Sequence, residues 1–99
     1  MKKLSVIDAK RIILDDPVRP SFTALQRCSG HFEMYLTGDV EMGERYACIC
    51  IAFCNTVPKT EQELLESKSG DIAVFYSVWS YNNKPGAGRE IVFEALDLA

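Results

Sequence analysis

Two glycines one residue apart, Gly86 and Gly88, lie between a strand-like run and a helix-like run, with Lys84 before them and Arg89 after. Glycine lets the backbone turn sharply and lets an anion approach the main chain without meeting a Cβ. The first turn of a following helix adds N–H groups without intrahelical partners and the positive end of the helix dipole. Together these suit binding of a phosphate or pyrophosphate. Pro85 has no N–H, so Gly86, Ala87, Gly88 and Arg89 must supply the donors. No Gly-Lys-Ser/Thr follows, so the loop is not a P-loop, and no third glycine falls near Val92 to complete a dinucleotide fingerprint. A plain strand-to-helix turn would need the same glycines.

The elements that must position this loop follow from periodicity. Ser5 suits the cap of a first helix, with Asp8 three residues on, and Val6, Ala9, Ile12 and Ile13 form one apolar stripe. Asp15-Asp16-Pro17 ends it, because Pro17 excludes Asp16 from helical geometry. Thr23 to Cys28 is expected as a strand, Ser29-Gly30 as a turn, and His31 to Thr37 as a second strand with Phe32, Met34 and Leu36 on one face. Arg45 to Cys54 is almost wholly apolar, as for a central strand covered on both sides. Thr60-Glu61-Gln62-Glu63 opens a short helix through about Ser67, and Gly70 closes it. Asp71 to Tyr81 is rich in β-branched and aromatic residues, and the final helix carries Ile91, Val92, Ala95, Leu96 and Leu98 on one side. The expected fold is α+β: an antiparallel-dominated sheet of about four strands flanked by helices, in a single domain over residues 1–99.

The stretch Tyr76-Ser77-Val78-Trp79-Ser80-Tyr81-Asn82-Asn83-Lys84-Pro85-Gly86-Ala87-Gly88-Arg89 resembles the acyl-CoA binding motif of the GNAT N-acyltransferase superfamily. That motif is a long strand, then Gln/Arg-x-x-Gly-x-Gly/Ala, then a helix that often opens with Arg. Gly86 and Gly88 match its small positions and Arg89 its basic one, while Asn83 stands where Gln or Arg is usual. The upstream order of helix, antiparallel hairpin and long apolar strand is similar too. The runs Val78-Trp79-Ser80-Tyr81 and Gly86-Ala87-Gly88-Arg89-Glu90-Ile91 further resemble small GNAT-like proteins of tailed phages.

The resemblance implies binding of acetyl-CoA or another acyl-CoA as co-substrate, and transfer of the acyl group to an amine acceptor it does not identify. Main chain at Val78 and Ser80 would pair with the pantetheine arm, and the N–H groups of Gly86, Ala87, Gly88 and Arg89 would hold the pyrophosphate, with Lys84 adding charge. An N–H near Val78 or Trp79 would polarise the thioester carbonyl and stabilise the oxyanion. The family continues with a strand, a helix and a closing hairpin that build the acceptor side. This chain ends at Ala99, so the resemblance implies a shortened fold in which binding need not bring turnover.

Other residues have candidate chemistry with plainer explanations beside it. Cys48, Cys50 and Cys54 share a strand face, and Cys28 and His31 have zinc-like spacing, but ligands along a flat strand converge poorly on a tetrahedron, so no metal is expected. His31 lacks a recognisable nucleophile partner. Glu33, Glu41 and Glu44 suit amine steering but equally a solvated surface. Tyr76, Trp79 and Tyr81 suit adenine stacking or core. Glu61, Glu63 and Glu66 read most simply as the acidic N-terminal half of a short helix.

Composition bounds these readings. At 99 residues, 47% apolar and 25% charged, the chain is sized for one globular domain. A net charge of −3 argues against a broad nucleic-acid surface. No apolar run spans a bilayer, and Met1-Lys2-Lys3 leads into no signal segment. Four cysteines then fit free thiols in a reducing cytoplasm. The alternative function is a non-enzymatic interaction module of phage type that forms a homodimer through an open edge at strand 71–81.

Overall fold

A computed structural model describes residues 1–39 and 41–98, so Ala99, the end of the expected domain, lies outside the described residues. The elements run β1 (Lys2–Lys3), α1 (Val6–Ile12), α2 (Ala24–Arg27), β2 (Phe32–Asp39), β3 (Glu44–Cys54), α3 (Glu61–Leu65), β4 (Ile72–Ser80) and α4 (Ala87–Leu96). The strands form one antiparallel sheet in the order β1-β2-β3-β4. The fold is α+β, as its sequence pattern predicts.

Segment 23–28 departs from expectation: it is a helical turn, not a strand. Thr23 Oγ1 accepts the Gln26 N–H at 3.2 Å, and the Gln26 side chain accepts the Thr23 N–H at 2.9 Å. This reciprocal cap satisfies two donors that a strand would have to pair elsewhere. The two-residue β1 is a further addition: Lys2 and Lys3 pair with Leu36 and Tyr35, and Lys3 Nζ lies 3.7 Å from Glu33 Oε1. Ser5 caps α1 by accepting the Asp8 N–H, and Thr60 caps α3 by accepting that of Glu63.

The sheet has two covered faces. Against α1 and α2 pack Met34, Leu36, Cys48, Cys50 and Trp79, with Ala9, Ile12 and Phe22 from the helical side. Under α4 pack Ala47, Ile49 and Ile51, met by Ala87, Ile91 and Ala95. Each fully buried isoleucine, leucine or methionine contributes about 1.5–3 kcal/mol. The buried stripe of α4 is narrower than expected: Leu96 and Leu98 are exposed, and the spacing of four from Ala87 to Ala95 sets the contact instead.

Strand β4 is bulged. Cys50 pairs with Ser77 and Ile51 with Phe75, so Tyr76 is an extra residue without an opposite number. The bulge sends Tyr76 and Ser77 both into the α1–α2 side of the sheet, where Tyr76 packs on Phe22 and Phe32 at ring separations of 5.6 and 5.9 Å.

Candidate functional site

Strand β4 is outermost in the sheet, so one of its sides has no strand neighbour. Tyr81 N donates to Tyr46 O at 3.0 Å, which turns Tyr81, and by alternation Trp79, toward β3. Val78 and Ser80 therefore turn their N–H and C=O groups to the open side. Of the two amides proposed from the sequence for a thioester carbonyl, the one at Val78 is on the accessible edge and the one at Trp79 belongs to the ladder.

The chain leaves β4 through Asn82, at φ +61°, and enters α4 at Gly86, at φ +80°. That left-handed conformation is why glycine is needed at the cap, and no side chain caps the helix. Ala87 N donates to Lys84 O at 3.2 Å and Glu90 N to Gly86 O at 2.9 Å. One of the four amides expected to hold an anion is thus committed within the loop. Gly86 and Arg89 are exposed, Gly88 is half-buried and Ala87 is buried. A Cβ at Gly88 would lie 3.6 Å from Ser80 Cβ, an ordinary contact, so the helix start lies against the end of the strand without crowding it.

The two cations diverge from the loop. Lys84 Nζ lies 5.0 Å from the Tyr46 ring and 3.8 Å from Glu90 Oε2, lining a cleft of about 380 Å³ beside Thr37. Arg89 lies over Phe93 of its own helix at 5.3 Å. What the loop retains is the backbone and dipole contribution.

A second cleft, of about 290 Å³, opens where β4 bulges. Arg19, Lys59, Thr60 and Glu61 supply its polar lining, and Leu64, Val74 and Phe75 most of its apolar lining. Arg19 Nε donates to Tyr76 O at 2.9 Å, and its Nη1 is paired with Glu61. No local motif marks this cleft, because its residues come from three separate stretches of chain.

Beneath the bulge lies a buried ion pair. Arg27 Nη1 donates to Asp16 Oδ2 at 2.6 Å, Nε to Phe22 O at 2.9 Å and Nη2 to Arg19 O at 2.5 Å; both charged side chains are fully buried. Burial pushes the Asp16 carboxyl up, but Arg27 and the amides of Val18 and Arg19 outweigh it and hold the group below its ordinary 3.8. Arg27 Nη1 also reaches Cys50 Sγ at 3.5 Å. The Cys48 thiol and Arg27 lower Cys50, while burial raises Cys48. Tyr76 Oη, Ser77 Oγ and Trp79 Nε1 are buried on this side without a hydrogen-bond partner among the described residues.

The remaining sequence candidates fall elsewhere. His31 Nε2 is 2.8 Å from Ser67 Oγ, tying the start of β2 to the end of α3. Glu33 pairs with the Tyr35 hydroxyl and Glu44 with that of Tyr46, which raises both phenols, Tyr35 by burial first and to about 12. Glu33, Glu41 and Glu44 lie on β2, on its turn into β3 and at the start of β3, so the structure does not bring them to the open side of β4. Tyr76 and Trp79 are core, and Tyr81 donates to Asp15 Oδ2 at 2.9 Å. Among the described residues no three His, Cys, Asp or Glu side chains converge as metal ligands, and no helix is long and apolar enough to cross a membrane. Compared with known proteins, the chain matches no family model, no curated protein and no solved structure.

Proposed function

We propose that the chain binds acetyl-CoA or a related acyl-CoA along the open side of β4 and the start of α4, as an N-acetyltransferase-like protein. The observation that carries this reading is the continuity of three features. An unpaired strand edge at Val78 and Ser80 leads into a glycine loop, and the loop into a helix start with no side-chain cap. An extended pantetheine arm with amide groups suits the first, and a pyrophosphate suits the last. The Val78 N–H is the donor available to a thioester carbonyl. Of the order that the GNAT resemblance implies, a helix, an antiparallel hairpin and the motif strand have counterparts in α1, the β2–β3 hairpin and β4, the long apolar strand being β3 within that hairpin and not a separate strand. Free buried thiols at Cys48, Cys50 and Cys54 suit a reducing cytoplasm.

Titration calorimetry with acetyl-CoA tests the reading. Gly88→Asp places a carboxylate at the helix start in ordinary contact distance of Ser80, so it should fold and weaken binding by about tenfold or more through repulsion of the diphosphate. Absence of binding by the unaltered protein, or equal affinity in the variant, overturns the proposal.

The same open edge favours a second reading, a non-enzymatic module that pairs β4 with a second copy. Ile72, exposed at the start of β4, adds apolar surface to that edge. A thermal-shift measurement separates the two, since acetyl-CoA raises the melting temperature only under the first. A monomer by light scattering at high concentration removes the second.

A further inference from the structure

We propose that the cleft at the β4 bulge is the acceptor subsite, and that it takes a small amino acid with an apolar side chain, held by its carboxylate. This rests on the acyl-CoA reading for the reaction, but the cleft's preference for a carboxylate stands on its own residues.

The charge count decides the ligand class. Arg19 and Lys59 carry two positive charges into the lining and Glu61 one negative, leaving room to neutralise one anion. Arg19 is oriented for this: Tyr76 O and Glu61 hold its Nε and Nη1, while Nη2 has no partner among the described residues. Lys59 is exposed and likewise forms no ion pair there. A planar guanidinium fixed along one side offers its remaining donors in a set direction, which suits a carboxylate better than a freely moving ammonium does. Leu64 and Val74 give the apolar wall for a side chain. A volume of about 290 Å³ is at the small end of ligand pockets, which run from roughly 300 to 1,000 Å³.

Position links the cleft to the edge. Tyr76 borders the cleft, and Val78 lies two residues along the same strand, a separation of roughly 7 Å at the ordinary rise. An α-amine one carbon from the bound carboxylate is then within a small molecule's length of the Val78 amide. The amine reacts as its free base, its ammonium proton passing first to water. In the transfer, the nitrogen lone pair forms the C–N bond as the thioester C–S bond breaks. The sulfur leaves as thiolate, and the proton shed by nitrogen passes to water.

The test measures binding of L-leucine, leucinamide and isopentylamine by calorimetry, each with and without saturating acetyl-CoA. Leucine should bind at least about tenfold more tightly than either compound lacking the carboxylate. Arg19→Gln and, separately, the exposed Lys59→Gln should each erode that preference, with melting curves reporting whether each variant is folded. Equal binding of leucine and leucinamide, or a preference unchanged in both variants, overturns the proposal. Failure of acetyl-CoA to bind while the leucine preference persists overturns the acyl-CoA reading alone.

Discussion

Under α1 and α2 a guanidinium and a carboxylate are fully out of solvent, with Arg27 donating to Asp16, Phe22 O, Arg19 O and Cys50. Along the outer side of β4, main-chain groups at Val78 and Ser80 face no strand, and a cleft with an incompletely paired arginine opens beside them. The first region pairs its buried charges, and the second leaves main-chain donors and acceptors open. The bulge at Tyr76 joins the two. Its side chain enters the closed region on Phe22, while its carbonyl accepts from Arg19 at the cleft. The contrast is between charge and edge: the interior pairs its buried ions while leaving the Tyr76, Ser77 and Trp79 side-chain groups without partners among the described residues, and the outer side of β4 keeps its main-chain groups open.

The largest break in that contrast comes from opening the closed region. Arg27→Met should cost about 3–5 kcal/mol in denaturant unfolding, because it strands Asp16 as an uncompensated buried charge. Acid probes the same pair without mutation. A carboxyl held below its unfolded value of about 3.9 stabilises the fold fully above that value, and the contribution is lost as pH falls through the lower folded value. Stability should therefore decline below about pH 4, and Asp16→Asn should flatten that decline in a pH series of unfolding curves. Thr23→Ala should cost about 1 kcal/mol by removing the α2 cap, since α2 presents both Ala24 and Arg27 to the interior. Ser80→Pro should change stability least, by about 1 kcal/mol or less, because the N–H it deletes faces outward. It should nonetheless weaken acetyl-CoA binding, or dissociate a β4-paired dimer, in the calorimetric and light-scattering measurements above.

Much of the fold was legible from local chemistry. The caps at Ser5 and Thr60, the alternation of Phe32, Met34 and Leu36, and the apolar run of β3 each act within a few residues. The helix at 24–27 had the same kind of signal, Thr23-x-x-Gln26, obscured by the strand-compatible residues around it. The glycine loop was legible as a turn into a helix, but the paths of Lys84 and Arg89 were not. Each is set by a contact, with Tyr46 and Phe93 respectively, that competes with an anion for the same side chain. The Arg27–Asp16 pair and the Arg19 cleft were invisible because tertiary packing alone joins their members, Arg19 and Tyr76 being 57 residues apart in sequence.

The unopposed residue in β4 also makes tolerance to chain shortening uneven. Removing one residue elsewhere in the strand would slip its pairing and exchange inward for outward side chains. Excising Tyr76 instead would leave Phe75 and Ser77 consecutive opposite Ile51 and Cys50, restoring an unbroken ladder. A single-codon deletion scan through residues 72–80 would then show its mildest position at the bulge, with loss of the Phe22 contact as the residual penalty.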